Sequence, residues 1–225
     1  MTFRAVLFDA GDTLIRLRAG SGALLLAAAG KLGVLVDPAA AAGVWRRVLA
    51  GAGTPEELAK GRDLSAERHR AVWTDLYARS GADDLAAGLS DVLYEFTVDP
   101  GSWEAFPDAA TTLRALRERG VPVGVVSDTG FDLRPAFDRL GLSPWIDAVV
   151  LSCENGVCKP EPRVFHSVCA QLGVEPAATL MVGDNPLTDG GAAAAGLVVL
   201  LLPAPAATGP RGLGHVLSLV DAAGT

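Results

Sequence analysis

Apolar and polar residues follow two different periods along the second half of the chain. Short, nearly continuous apolar runs alternate with segments in which apolar residues recur every three or four positions, as on one face of a helix. The helical segments are followed by Gly120, Gly141 and Gly173, as expected at helix ends. With one further run near the N terminus, the apolar runs lie at residues 3–8, 121–126, 148–151, 179–182 and 197–202. This pattern predicts a three-layer α/β fold in which helices cover both faces of a parallel sheet.

Residues 15–104 lack this alternation. Their apolar residues have helical spacing, and the clearest stripe is Val72, Trp73, Leu76 and Tyr77. We therefore predict an insertion that is helical throughout, between the core segments 1–14 and 105–225. Its tryptophans are expected to pack inside it rather than to form a stacking platform: Trp45, Trp73 and Trp103. In the core, we predict that helices begin at Pro107 and Pro160.

Composition and charge exclude several classes of protein. Half of the 225 residues are hydrophobic, which argues against disorder. The net charge is -7 and no basic run occurs, so a nucleic-acid partner is not expected. No apolar run reaches the ~20 residues of a membrane span. Three cysteines without a C-x-x-C pair predict reduced thiols and a cytoplasmic protein. The sequence does not distinguish a monomer from a homodimer.

Polar clusters follow four of the predicted elements. They are residues 9–13, 127–129, 159–160 and 183–189. The carboxyl ends of parallel strands meet at one edge of the sheet, so these clusters are expected to share one crevice. Carboxylates from Asp9 and Asp184 suit Mg²⁺, and Lys159 with the Ser127 hydroxyl suits a phosphoryl group. A carboxylate beside the metal can also attack phosphorus and form an acyl phosphate.

The order of these acids, hydroxyl and lysine resembles the four motifs of the haloacid dehalogenase-like (HAD) superfamily over nearly the whole chain. The insertion resembles the helical type-one cap of that superfamily. Residues 9–14 and 16–18 are most similar to the branch of the haloacid dehalogenase-like hydrolase domain-containing protein three. The resemblance implies a Rossmann-like core with a cap, and a Mg²⁺-dependent phosphatase that acts on a small phosphorylated metabolite through an aspartyl phosphate.

The resemblance also implies roles for individual residues. Asp9 matches the nucleophile, Ser127 the phosphate-binding hydroxyl, and Lys159 the lysine that neutralises both. Asp184 matches the direct metal ligand. The metal set is completed by the Gly11 carbonyl and by Asp189, which could act through water or by holding Lys159. Asp128 is a further candidate for phosphate binding, although with Thr129 it could instead cap the next helix.

The chain departs from the superfamily at one position of the first motif. Phosphatases of the superfamily carry a second aspartate two residues after the nucleophile, as the acid for the leaving group, and Gly11 stands there in this chain. Asp12 stands where the family usually has glycine and could replace the missing acid. Loss of a general acid typically costs ~10²–10⁴ in rate, most of all for alkyl esters with poor leaving groups.

Three functions therefore remain open. Besides a phosphatase, the chain could be a dehalogenase-like or phosphonatase-like hydrolase, because those relatives also lack the second aspartate. A phosphonatase needs a lysine on the cap, and Lys31 and Lys60 are the lysines of the insertion. The third function is a catalytically reduced protein that binds a phosphate ligand or a partner. Arg16 and Arg18 could face an anionic substrate or solvent.

Overall fold

The computed structural model describes residues 2–18, 22–206 and 208–223. Parts of the predicted segments, residues 1, 19–21, 207 and 224–225, lie outside the described residues. Five parallel strands form the main sheet in the order β5-β4-β1-β6-β7. These strands are β1 (Ala5–Phe8), β4 (Val123–Ser127), β5 (Ala148–Leu151), β6 (Thr179–Gly183) and β7 (Val198–Leu201). The predicted parallel α/β fold is confirmed.

The strand order places the first strand at the centre of the sheet. β1 pairs with β4 on one side and with β6 on the other, and all four residues of β1 are buried. The chain leaves β1, β4 and β6 at the same edge, because the three strands are parallel. The loops that begin at Asp9, Asp128 and Asp184 are therefore neighbours, although they are far apart in the sequence.

Helices cover the two faces of this sheet and also form the insertion. In the core they are α7 (Ala109–Glu118), α8 (Arg134–Arg139), α9 (Ser152–Asn155), α10 (Pro162–Leu172) and α11 (Gly214–Ala223). In the insertion they are α1 (Ala23–Lys31), α2 (Pro38–Ala52), α3 (Pro55–Ala59), α4 (Ala66–Arg79), α5 (Ala82–Leu85) and α6 (Leu89–Val98). Short 3-10 turns lie at Arg62–Leu64, Pro100–Ser102, Ser143–Trp145, Pro176–Ala178 and Gly190–Ala195.

The described residues form three apolar clusters, one on each face of the sheet and one inside the insertion. Phe8 and Phe137 belong to the cluster on one face, and Leu7 and Phe165 to the cluster on the other. Helices α1, α2, α4 and α6 bury a third cluster among themselves, which includes Tyr77. No helix in the described ranges has both the length and the apolar character needed to cross a membrane.

Two short strands correct the prediction that residues 15–104 are helical throughout. β2 (Ile15–Leu17) pairs antiparallel with β3 (Trp103–Ala105), so that Ile15 faces Ala105 where the chain enters and leaves the insertion. Three-residue strands are too short to produce an alternating pattern, and their stability depends on pairing across the sequence. The pairing brings the two ends of the insertion together.

Two predicted helix starts are also early by two residues. The helices begin at Ala109 and Pro162 rather than at Pro107 and Pro160. Pro160 instead follows a cis peptide bond with Lys159, and the loop of these two residues lies against the sheet edge. Residues 159–161 are therefore not helical, and Lys159 lines the pocket described below.

Candidate active site

The first loop of the site is a tight turn after β1. The Asp9 amide donates to the Val182 carbonyl of β6 (2.9 Å), and the Ala10 carbonyl accepts from the amides of Leu14 (2.9 Å) and Ile15 (3.0 Å). Asp12 has a φ of 54°, in the left-handed region that aspartate tolerates better than most residues. The turn holds the buried Asp9 at the sheet edge and leaves Asp12 exposed at the pocket.

Arg211, which the sequence did not indicate, supports this turn from the C-terminal part of the chain. Its Nε donates to the Asp12 carbonyl, and its guanidinium is buried beside the Phe106 ring. The Asp108 carboxylate accepts from the backbone amides of residues 211, 212 and 213, at 2.8, 2.9 and 2.8 Å. Asp108 therefore holds the segment that carries Arg211, and Arg211 holds the backbone of Asp12.

The loop after β6 is organised by Asp189. One oxygen of this fully buried carboxylate accepts from the backbone amides of Asp184 (3.0 Å) and Asn185 (2.9 Å). The Asn185 side chain in turn accepts from the amides of Leu187 and Thr188. Gly183 is necessary for this arrangement, because a β-carbon there would overlap the Asp189 carboxylate.

Lys159 joins these two loops. Its Nζ lies 2.6 Å from Oδ1 of Asp9 and 2.6 Å from Oδ1 of Asp189, and its side chain is almost fully buried. The Lys159 backbone amide donates to the Asp128 carboxylate of the β4 loop (2.9 Å). A single residue thus contacts the loops after β1, β4 and β6.

Burial and charge set the protonation of this group. Burial raises the pKa of Asp9 to about 7, and the carboxylates of Asp189 and Asp184 add to this effect, while the Lys159 ammonium opposes it. Burial alone would lower the pKa of Lys159, but the Asp9 and Asp189 carboxylates raise it above its ordinary value. Lys159 is therefore charged at neutral pH. Burial, and then the nearby Asp12 and Asp189, also raises the pKa of Asp184.

Three carboxylates are close enough to share a cation. One oxygen each of Asp9, Asp184 and Asp189 lies within 4.8 Å of the others. Both Asp189 oxygens already accept hydrogen bonds, one from Lys159 and the other from two backbone amides. The oxygen donors that fit a hard divalent cation best are thus those of Asp9 and Asp184, and Asp189 fits better as the residue that holds Lys159 and the loop.

The remaining predicted residues lie around the same pocket. Ser127, the buried last residue of β4, and Asp128 line it together with Gly11, Asp12 and Asp184. Burial raises the pKa of Asp128, against the opposing charge of Lys159. The alternative that Asp128 caps the next helix does not hold, because its carboxylate binds the Lys159 amide and α8 begins six positions later.

Arg16 and Arg18 do not line the pocket. Arg16 donates to Glu104 (2.8 Å) and to the Ala206 carbonyl, and its guanidinium lies over the Phe106 ring. Arg18 is exposed, with Nε 3.9 Å from Glu104. The Arg16 contacts with Ala206 and Phe106 join the entrance of the insertion to the core, and the Arg16 charge also opposes the rise in the pKa of Asp12 that burial causes.

The insertion supplies polar residues that motif reasoning missed. Arg62, Asp63 and His69 line the pocket opposite Lys159. Burial raises the pKa of Asp63 to about 6, while Arg62 opposes this effect. These residues stand in no motif. Arg62 and Asp63 follow Gly61 in a polar segment between two helices, and His69 lies on α4.

His69 is in close contact with both parts of the molecule. Its Nδ1 lies 2.9 Å from the Tyr94 hydroxyl, and its ring packs against Phe131 of the core. Gly130 allows this contact, because a β-carbon there would overlap the histidine. Burial, and secondarily the Arg62 charge, lowers the pKa of His69 to about 4.

A second polar contact between insertion and core involves Ser152. The buried Ser152 hydroxyl accepts from the Thr129 amide (2.9 Å) and donates to the Asp63 carbonyl (2.6 Å). The Thr129 carbonyl lies 3.2 Å from the same hydroxyl. Ser152 therefore connects the loop after β4 with the segment that carries Arg62 and Asp63.

Comparison with known proteins finds similarity over most of the chain. The family described as haloacid dehalogenase-like hydrolase matches residues 3–196. The chain is 31% identical to the mouse (Mus musculus) haloacid dehalogenase-like hydrolase domain-containing protein 3 over 84% of its length and 77% of that protein. It is also 31% identical to the phosphoserine phosphatase of Thermus thermophilus, over 54% of its length and 48% of that protein.

Solved structures share the fold. A HAD phosphatase from Thermococcus onnurineus is 25% identical and superposes with a TM-score of 0.61. The match covers 97% of this chain and 98% of the phosphatase. The L-2-haloacid dehalogenase RSc1362 is 22% identical and superposes with a TM-score of 0.69. The match covers 98% of this chain and 100% of the dehalogenase. Both structures therefore share the arrangement of sheet and helices described above.

The close approach of Asp189 to β6 predicts that Gly183→Ala is destabilising. The added methyl group overlaps the Asp189 carboxylate, so the loop must shift at a cost of about 1–3 kcal/mol in the free energy of unfolding. Urea denaturation measures this change. Gly190→Ala is the matched control, because no heavy atom lies within 4 Å of a β-carbon there. Equal stability of the two variants would contradict the predicted overlap.

The environment of His69 predicts that its ring stays neutral down to about pH 4. Its pKa is below the unfolded value of ~6.5, so the unfolded state binds more protons between these limits. His69 therefore lowers the stability of the protein as the pH falls from about 6.5 towards 4, by at most about 3 kcal/mol. An NMR titration of the ring, assigned with His69→Gln, checks this prediction. A midpoint above pH 6 would contradict it.

Proposed function

Because the chain belongs to the haloacid dehalogenase-like hydrolase family, we propose that it is a Mg²⁺-dependent phosphatase of a small phosphorylated metabolite. One observation carries this proposal. The Lys159 ammonium lies 2.6 Å from both Asp9 and Asp189, in a pocket that also contains Ser127 and Asp184. A nucleophilic carboxylate, a buried cation and a hydroxyl in one pocket match the requirements of phosphoryl transfer. The phosphatases among the similar proteins support the same reaction.

In the proposed reaction, an oxygen of Asp9 attacks phosphorus and forms an aspartyl phosphate. The ester P–O bond breaks, and its electron pair stays on the leaving oxygen, which takes a proton from solvent. A water molecule then attacks phosphorus and gives up a proton to solvent. The bond between Asp9 and phosphorus breaks, its electrons return to the carboxylate, and inorganic phosphate leaves.

The other residues of the pocket hold charge in place. Lys159 balances the Asp9 carboxylate and binds a phosphoryl oxygen, and the Ser127 hydroxyl donates to another. Mg²⁺ would be held by the carboxylates of Asp9 and Asp184 and by the Gly11 carbonyl, where it would offset the charge of the phosphoryl group. Asp189 positions Lys159, because one carboxylate oxygen of Asp189 accepts from the Lys159 ammonium while the other is held by two backbone amides.

We further propose that residues 15–104 act as a cap over a core of residues 1–14 and 105–225. The helices of the insertion bury their own apolar cluster, which supports an independently packed unit. The insertion also contributes Arg62, Asp63 and His69 to the pocket. A cap in this position excludes water from the phosphoryl group and selects the leaving group.

The other hydrolytic functions fit the pocket less well. A phosphonatase would need a lysine of the insertion in the pocket, but Lys31 pairs with Glu95 and Lys60 with Glu57, and neither lines it. A dehalogenase needs no cation, whereas carboxylate oxygens of Asp9, Asp184 and Asp189 lie close enough together to share one. The grouped carboxylates therefore favour the phosphatase.

The assignment of Asp9 predicts that Asp9→Asn abolishes hydrolysis of 4-nitrophenyl phosphate. The amide cannot form the aspartyl phosphate, so kcat should fall at least ~10³-fold. Native activity should also disappear with EDTA and return with Mg²⁺. Asp91→Asn is the matched control, since Asp91 is exposed and distant from the pocket. Absence of Mg²⁺-dependent turnover by the native protein would overturn the phosphatase and favour a catalytically reduced binding protein.

The open space at Gly11 predicts that Gly11→Asp raises activity on alkyl phosphates. No heavy atom lies within 4 Å of a β-carbon there, so an acid can be introduced beside the leaving group. We expect kcat/KM for an alkyl phosphate to rise ~10-fold or more, and for an aryl phosphate to change much less. Steady-state assays of both esters measure the difference.

Two variants control this experiment. Gly11→Asn has the same size and no proton to give, so an equal gain from Gly11→Asn would contradict the acid role. Asp12→Asn tests the alternative that Asp12 already supplies the proton, and asparagine tolerates the left-handed backbone. A loss of alkyl-ester activity in Asp12→Asn alone would assign the proton transfer to Asp12.

A further inference from the structure

Aromatic rings line part of the pocket that holds the carboxylates. Its volume is about 440 Å³, enough for a small ligand. Five aromatic rings from the insertion and the adjoining core loop line the pocket, and we call them the aromatic wall: Trp45, Trp73, Tyr77, Trp103 and Phe131. Aliphatic side chains complete the lining, namely Leu17, Val48, Leu49, Leu58 and Leu133. A ligand bound at Lys159 therefore has apolar surface in front of it.

Two of these aliphatic side chains are exposed. Leu49 is 60% and Leu58 is 53% exposed, although both are large apolar residues at the edge of the pocket. Exposed apolar surface that continues into a cavity is typical of a ligand site. It extends the aromatic wall out to the surface of the molecule.

The charges of the lining disfavour a second anionic group on the ligand. Among the described lining residues six are aspartates, and the cations are Lys159 and Arg62. Arg62 donates to the Ala52 carbonyl (2.7 Å), lies 3.6 Å from Asp63 and stacks over Trp73. Lys159 serves the phosphoryl site, and Arg62 already contacts Ala52, Asp63 and Trp73. Both cations of the described lining are therefore engaged before a ligand carboxylate could bind them.

The first loop points to the same ligand class. Gly11 supplies no proton to the leaving oxygen, so the fastest substrates are those whose leaving group is stable as an anion. Phenols meet this requirement far better than aliphatic alcohols, and their rings match the aromatic wall.

We propose that the pocket binds monophosphate esters of uncharged phenols, with the phosphoryl group at Lys159 and Ser127 and the ring against the aromatic wall. The inference rests on the proposed phosphatase and names its substrate class. It also assigns specificity to the insertion, through residues that belong to none of the four motifs.

Binding of phosphonates tests this ligand class without turnover. Phenylphosphonate should bind at least ~10-fold more tightly than methylphosphonate in the presence of Mg²⁺, because the ring is removed from water. Phosphonoacetate, which adds a carboxylate, should bind no better than methylphosphonate. Isothermal titration calorimetry measures all three affinities. Equal affinity for the phenyl and methyl compounds, or tightest binding of phosphonoacetate, would overturn the inference.

Variants at the pocket edge locate the preference. Leu49→Asp and Leu58→Asp should lower the ratio of phenyl to methyl affinity at least ~3-fold. Leu35→Asp is the matched control, because Leu35 is a fully exposed leucine of the insertion outside the pocket lining. An equal effect of Leu35→Asp would overturn the assignment of the phenyl preference to the apolar lining of this pocket.

Turnover separates this inference from the proposed function. Hexafluoroisopropyl phosphate and phenyl phosphate have leaving groups of similar acidity, but only the second has a ring. A higher kcat/KM for phenyl phosphate supports the inference. Mg²⁺-dependent turnover with no preference between them retains the phosphatase and overturns the substrate class. Preferential phenylphosphonate binding without turnover of any ester supports the ligand class and overturns the hydrolysis.

Discussion

The contact of the Lys159 ammonium with Asp9 and Asp189 is the interaction on which the site depends. Three buried charges are costly in a protein interior unless each is paired and hydrogen-bonded. Here the lysine lies between the two carboxylates, and Asp189 is further bound by two backbone amides. Removing Lys159 would leave two buried carboxylates without a cation between them, so the arrangement of the loops after β1 and β6 depends on this lysine.

The sequence was sufficient to predict the sheet and the residues at its edge. Buried parallel strands have continuous apolar runs, and polar residues directly after them must lie at the carboxyl ends. The short ribbon of β2 and β3 was missed, because three-residue strands carry no periodic signal. Arg211 was missed as well, since its partner, the Asp12 carbonyl, lies 199 positions away. Nothing local in the sequence marks such a contact.

The pocket residues of the insertion show a further limit of sequence reasoning. Helical stripes predicted that the tryptophans pack inside the insertion, and Trp45 belongs to its buried cluster. The same ring also lines the pocket, as do Trp73 and Trp103. A stripe gives the face of a helix that is buried, but not which neighbour covers it. Whether a ring meets another helix or a cavity depends on how the whole insertion lies over the sheet.

The Ser152 hydroxyl has a consequence for how the two halves of the molecule separate. It donates to the Asp63 carbonyl across the boundary, and a second acceptor, the Thr129 carbonyl, lies 3.2 Å away within the core. If the insertion moved away from the core, the hydroxyl could rotate to donate to the Thr129 carbonyl. Separation at this boundary would then leave no buried donor unsatisfied. Opening for ligand exchange would be limited by apolar contacts such as His69 on Phe131, rather than by this hydrogen bond.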